Sequence, residues 1–534
     1  MGESTNILND SYQVGNRIDC DGHRGTIRYI GPVIDTNGMW LGIDWDESDR
    51  GKHNGTYHGI EYFKTRYPTS GSFVRPGKVK TGVSCPESIK NRYGLIDDEL
   101  AGVEPENVTS LKKEINAPFL EMVGFSKVNK KQSTFNKLKI VWLRDQLVSC
   151  AGAPGELEEL CPNVEQLDIS RNLINSWRTV GDICWQLKHL EHLDVSENIL
   201  PTPEDGKNLK NAFTKVNQLT MARMNYTWDD VEWCTSLFPS LKILHVPFNN
   251  ICILKEPETD ASLKQLVVLS LEGNGINDWT EILKLGKLES LENLNLNSNN
   301  IDVIRLPRDD ENGKTSMFPA LRQLHLSKNL INEWISISEL EKLKNLEDLK
   351  FRDNPLLNDV EKGTARQLII ARISNLKLLN STEITRDERN GAEYDYLKLC
   401  FKEWQQINSE SSENCKKIFL ENHPRYLTLI QLCGEPEITN SKTDLDMKSD
   451  LITVEFICMN ESSQCSSVKK KLLKEMDVQK LTGLVQRIFK TRGKIPKLSF
   501  VGLNRLTEEI PLDKPLQQLS YYSIQNGDHI LVRW

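Results

Sequence analysis

Three things are missing from this chain of 534 residues: a run of about 18 apolar side chains, a charged-then-apolar leader at its start MGESTNILND, and any CxxC pair. The first two absences argue against membrane spanning and secretion. The third, with twelve scattered cysteines and only nine histidines, leaves no zinc-type ligand spacing and points to reduced thiols in a cytosolic protein. An excess of basic charge is also lacking. The formal net charge of −8 excludes bulk electrostatic binding to nucleic acid or an anionic membrane. Signatures of catalysis are absent as well: there is no HExxH and no GxSxG. The one phosphate-loop lookalike, Gly313-Lys314-Thr315, has Arg308 where the loop requires glycine. A non-enzymatic protein without cofactor or metal is expected.

What is present is modular. At roughly 150 residues per domain, this length implies three or four units. Internal repetition dominates the middle of the chain. The pattern L-x-x-L-x-L-x-x-N-x-I/L recurs at steps of about 25 residues, as in Val164-Leu167-Ile169-Asn172-Ile174, Leu241-Leu244-Val246-Asn249-Ile251 and Leu291-Leu294-Leu296-Asn299-Ile301. Degenerate copies sit at Leu138-Val141-Leu143 and at Val216-Leu219-Met221, where Met224 replaces the asparagine. Each copy predicts a short strand with inward leucines and an asparagine free to bond the turn that follows, stacked as a curved leucine-rich solenoid over 136–370. Its strand face should carry Asp168, Asp194, His245, Glu272, Asn293, Asn295, Asn297, His325, Asp348, Lys350 and Arg352, a mixed polar surface suited to a folded protein. A strand and a polar helix over 371–400 should cap it. A helical segment and flexible linker, ending in the polar stretch EITNSKTDLDMKSD, should occupy 401–450.

Residues 451–534 change character. LITVEFICMN and VKKKLLKEM read as strands, DVQKLTGLVQRIFKTRG as an amphipathic helix, and KLSFVG and HILVRW as further strands. This order, with IQNGDHILV near the end, resembles the ubiquitin-like family, an α+β roll. The absence of a terminal diglycine marks it as a docking module rather than a conjugated tag.

The first 85 residues are rich in glycine and aromatics, and imply a compact all-β domain. GTIRYIGP, GMWLGIDWDE, GKHNG, YF and SGSFVRPGKV follow one another in the order of the CAP-Gly family, which this segment resembles throughout. That family binds acidic C-terminal tails with an aromatic last residue, as on α-tubulin. Lys52 is then the cation for the tail; Gly51 and Gly55 permit a loop tight enough for backbone amides to approach it. Tyr29, Trp40 and Phe63 match the groove-lining positions, with Trp45 a further candidate wall. His53 and Asn54 depart from the common GKNDG motif. A histidine there, with an ordinary pKa of about 6.5, suggests binding that weakens between pH 6 and 8. Residues 86–135 are expected to be a linker.

The order CAP-Gly, capped repeats, ubiquitin-like domain is similar to that found among tubulin-folding cofactors. The similarity implies a chaperone for α-tubulin that works with cofactors D, C and B in assembling and dissociating the αβ heterodimer, and a last domain that engages the proteasome. A microtubule adaptor without chaperone activity is the alternative. Against it stands the lack of coiled coil or basic Ser/Lys-rich linker. A ubiquitin-pathway or phosphatase scaffold would leave the first 80 residues unexplained.

Overall fold

A computed structural model describes residues 12–94, 133–202, 207–257, 262–309, 313–358, 360–410, 413–436, 451–459, 467–491, 493–502 and 509–534. It divides into two compact units, residues 1–301 with 316–329, and residues 302–315 with 330–534.

The first unit begins with a β module: β1 (Arg17–Cys20), β2 (His23–Pro32), β3 (Met39–Trp45), β4 (Thr56–Tyr57), β5 (Ile60–Glu61) and β6 (Gly71–Val74). β1, β2, β3 and β6 form one antiparallel sheet in that order, while β4 and β5 pair as a separate hairpin. Period-two alternation in β3 decides what each face does. Leu41, Ile43 and Trp45 point into a core with Ile18, Cys20 and Ile27; Trp40, Gly42 and Asp44 point to the other face.

The chain does not become a linker at residue 86. β7 (Val83–Ser84) pairs in parallel with the strand Val148–Cys150, and α1 (Cys85–Tyr93) follows at once. The local sequence dictates this helix: Ser84 accepts the Glu87 N–H as N-cap, and Pro86 stands in the first turn, where its missing N–H costs nothing. Cys85, Ser88, Ile89 and Tyr93 are buried, and the Tyr93 hydroxyl accepts the N–H of Trp142 at 2.7 Å. α1 thus closes the open edge of the repeats. Most of the remaining expected linker, 95–132, lies outside the described residues.

The repeats are three-residue strands in a continuous parallel ladder, from Ile140–Trp142 through Gln323–His325 in this unit. In each strand the central apolar residue is at most 2% exposed, and its two neighbours face outward. The asparagines do more than the expected bond to their own turn. Asn274, 1% exposed, accepts the N–H groups of Asn249 and Ile251 from the preceding repeat and donates to the carbonyls of Val246 and Glu272. Asn172, Asn249 and Asn299 repeat the arrangement. A ladder of buried amides therefore welds successive turns, each satisfying backbone groups that solvent cannot reach.

In the second unit the strand Asp348–Lys350 pairs in parallel with Leu378–Leu379, which turns back through Thr382–Glu383. The expected polar cap helix runs longer than its predicted limit of 400, spanning Arg386–Glu410, and buries Ala392, Tyr396, Leu397 and Cys400. Helices Glu413–Asn422 and Tyr426–Cys433 follow. The linker expected at 437–450 lies outside the described residues. The last segment is a ubiquitin-like roll. Leu451–Cys458 pairs with Val468–Leu473 and with His529–Arg533, which pairs with Lys497–Val501 and through it with Ile510–Pro511. The helix Val478–Phe489 packs Val478, Leu481 and Val485 against Ile452, Val454, Phe456 and Ile530.

Candidate peptide-binding site

Gly42 lies opposite both Tyr29 of β2 and Phe73 of β6. A side chain there would start 2.4 Å from the Phe63 ring and 2.9 Å from Tyr29 Cβ, so its absence makes room for an aromatic cluster on the module's outer face. Phe73 is the hub. Its centroid lies 5.4 Å from Tyr62, 5.5 Å from Phe63, 6.3 Å from Tyr29 and 5.1 Å from the His53 ring. Most of these contacts are edge-to-face, the arrangement ring quadrupoles favour.

The loop 51–55 is pinned beside this cluster. The N–H groups of Lys52 and His53 donate to the Gly71 carbonyl at 2.8 and 3.3 Å, and the Gly71 N–H returns a bond to the His53 carbonyl at 2.8 Å. Gly51 could carry no side chain, since a Cβ would sit 2.4 Å from the Thr69 carbonyl oxygen. Gly55 adopts φ +98°, and its Cβ would collide with the Phe63 carbonyl at 1.8 Å. Both glycines are therefore required by the backbone path. His53 Nδ1 accepts the Gly55 N–H at 3.0 Å, and burial holds its pKa below the usual value. The proton of the neutral ring then sits on Nε2. Asn54 is exposed and accepts the Thr56 N–H. Lys52 is exposed, and among the described residues no carboxylate pairs with it.

The remaining expected residues divide. Tyr29 is half-buried, with its hydroxyl donating to the Pro32 carbonyl at 2.7 Å; burial, and then Tyr62, raise its pKa. Trp40 is half-buried, its indole N–H donating to Thr36 Oγ1 at 2.8 Å and its ring covered by the Arg75 guanidinium at 3.7 Å. Phe63, 6% exposed, serves as floor. Trp45 is a correction: it points to the opposite face, is 3% exposed in the core with Ile18 and Ile43, and lines nothing. The strand alternation that brings Trp40 out takes Trp45 in.

Phe73 and Tyr62 were missed as site residues. The signal was available, because SGSFVRP places Phe73 two residues after Gly71 on a strand that must face Gly42. Beneath the cluster, fully buried Asp44 accepts bonds from Ser70 Oγ and Arg66 Nε at 2.8 and 3.1 Å, with Arg28 at 3.5 Å. Asp46 pairs with Arg17 and Arg66; burial opposes its charge, yet those partners hold its pKa below the usual range. Asp44 and Asp46 are thus neutralised internally, and Lys52 brings an exposed ammonium to the loop beside the cluster, with no carboxylate paired to it among the described residues. An exposed cation, pinned backbone turns and an aromatic floor suit an extended peptide with carboxylates and a terminal ring.

The CAP-Gly domain family matches residues 14–79. Over 529 residues the chain is 40% identical to tubulin-specific chaperone E of Danio rerio, covering 98% of this chain and 99% of that protein. It is 38% identical over 527 residues to tubulin-specific chaperone E of Homo sapiens, with 98% of each covered. Among solved structures, the C-terminal ubiquitin-like domain of mouse tubulin-specific chaperone E is similar at 33% identity and TM-score 0.15, covering 18% of this chain and 94% of that one. The Bik1 CAP-Gly domain with an ETF peptide from Bim1 is similar at 33% identity and TM-score 0.13, covering 14% and 88%.

Proposed function

The chain belongs to the tubulin-specific chaperone E family, also termed tubulin-folding cofactor E, and from that premise we propose that it is a tubulin chaperone whose first domain captures the acidic C-terminal tail of α-tubulin. It acts by binding rather than by catalysis, in the cytoplasm and on the cytoskeleton, and takes part with cofactors D, C and B in assembling and dissociating the αβ heterodimer. The ubiquitin-like domain serves as a docking module, with the proteasome as its partner.

The observation that carries the tail-binding reading is Lys52, an exposed ammonium that no carboxylate pairs with among the described residues, on a loop pinned to Gly71 beside the rings of Tyr29, Tyr62, Phe63 and Phe73. A tail with glutamates and a terminal carboxylate meets the cation and the loop amides, and its last ring meets the aromatic floor. Reversal of that one charge should weaken the tail interaction by about tenfold or more, the scale of a charge-assisted contact. The measurement is binding of the full chain and of Lys52→Glu to unpolymerised αβ-tubulin with and without the α-subunit tail, following whether the heterodimer stays intact. Tail-dependent binding that Lys52→Glu abolishes, with dissociation of the dimer, supports the reading. Binding to polymer alone would make the chain a microtubule adaptor, and an unchanged affinity in the variant would remove Lys52 from the site.

A further inference from the structure

The first strand of the repeats breaks the chemistry of the three that follow it. The two outward positions of the next three strands hold Gln166 and Asp168, His192 and Asp194, and Gln218 and Thr220. In the strand Ile140–Trp142 the same positions hold Ile140 and Trp142, 44% and 59% exposed. Parallel register sets Trp142 beside Asp168, and Asp168 beside Asp194. The three border a shallow cavity of about 180 Å³. A large aromatic ring left in water at an otherwise polar row of positions is the kind of side chain that anchors interfaces.

The peptide-reading module is fastened to this same place. Lys80 and Asp19 exchange both backbone hydrogen bonds, at 2.8 and 2.9 Å, and the Val83 N–H already donates to the Leu147 carbonyl at 2.9 Å. Only Thr81 and Gly82 intervene. Gly82 sits at φ +89°, where a Cβ would lie 2.4 Å from the Leu147 carbonyl oxygen, so the crossing is tight. Arg24 of β2, its side chain 9% exposed, pairs with Asp145, three residues after Trp142, and Asn175 Nδ2 donates to the Gly15 carbonyl at 3.2 Å. The groove and Trp142 are parts of one body.

We propose that Ile140 and Trp142 are a second contact for the protein whose tail enters the groove: a basic and apolar patch on the folded body of α-tubulin, its cation toward Asp168 and Asp194. This rests on the tail-binding reading above. The fixed junction makes the second contact intramolecular once the first has formed, at an effective concentration that a loose tether would dilute.

The test uses the full chain with three probes: a synthetic acidic peptide ending in tyrosine, intact αβ-tubulin, and αβ-tubulin without the α-subunit tail. Two variants are compared with it, Trp142→Ala and a flexible Gly-Ser insertion of about 20 residues between Thr81 and Gly82. Neither should alter the peptide affinity, which also shows that the module remains folded. Each should weaken intact tubulin by about tenfold or more, and only Trp142→Ala should weaken the tailless form. Equal affinity of wild type and both variants for intact tubulin overturns the proposal. So does a lowered Tm of the free Trp142→Ala chain, which would mean that the chain itself covers the ring. A peptide that fails to bind wild type sinks the tail reading instead, and tailless tubulin then decides the second contact alone.

Discussion

His53 packs at a tilt of 35° against Phe73 and edge-on to Phe63, and takes the Gly55 N–H on Nδ1, so its neutral form is part of the loop's construction. A proton on Nδ1 would leave Gly55 N–H without its acceptor. Burial lowers the pKa below 6.5, so the ring is already neutral between pH 6.5 and 8, and the expected weakening on raising the pH gives way to a weakening on lowering it. The sign follows from linkage: a histidine held neutral when folded stabilises the loop above its unfolded pKa, and that contribution drains away as pH falls below about 6.5. The ratio of tail-peptide affinities of wild type and His53→Asn should therefore be flat from pH 8 to 6.5 and fall below it. Titration of the imidazole by NMR with a midpoint above 6.5, or a ratio that stays flat to pH 5, would show the ring to be uninvolved. Composition announced a histidine in a glycine loop; it could not announce the packing that decides the ring's charge.

At the scale of elements, the repeat strands were readable because leucine spacing and burial obey one rule: an inward side chain every second residue and a turn every 25 or so. The ladder between repeats was not. Nothing local says that Asn274 reaches the backbone of the preceding turn, because that neighbour exists only after stacking. Truncation of Asn274 to alanine should leave the amide N–H groups of Asn249 and Ile251 buried and unmet, while the Val246 carbonyl keeps its bond from Asn249 Nδ2, at about 2–4 kcal/mol in total. Urea unfolding of Asn274→Ala against wild type measures it, and a loss under about 0.5 kcal/mol would mean that water enters the ladder. The helix starts were overlooked although they are local. Ser176, Thr227 and Asp278 each cap a helix that opens on tryptophan, at Trp177, Trp228 and Trp279. The long helix Arg386–Glu410 was read as polar because its buried apolar residues, Ala392, Tyr396, Leu397, Cys400 and Phe401, are confined to the middle of its 25 positions.

The largest departure from the sequence reading is at the scale of the molecule. Residues 86–93 looked like the start of a linker because SIKNRY carries little apolar periodicity, and its partners, Gln146, Trp142 and Glu156, come from a different repeat. The outcome is a module joined to its solenoid by pairing, capping and charge instead of by a tether. Of these joints Arg24–Asp145 is the most testable, because the guanidinium is nearly buried and burial already lowers its pKa against the pull of Asp145. Loss of Asp145 strands a cation that water barely reaches, and Asp145→Ala should cost about 2 kcal/mol, more than an exposed pair is worth. Exchange of the two charges in Arg24→Asp with Asp145→Arg should restore part of that cost, while Arg24→Ala with Asp145→Ala should cost less than the two single changes summed. Thermal unfolding of the full chain reads the cycle. Purely additive losses would show that the joint is held by its other contacts, and that the groove's register on the repeats owes nothing to this pair.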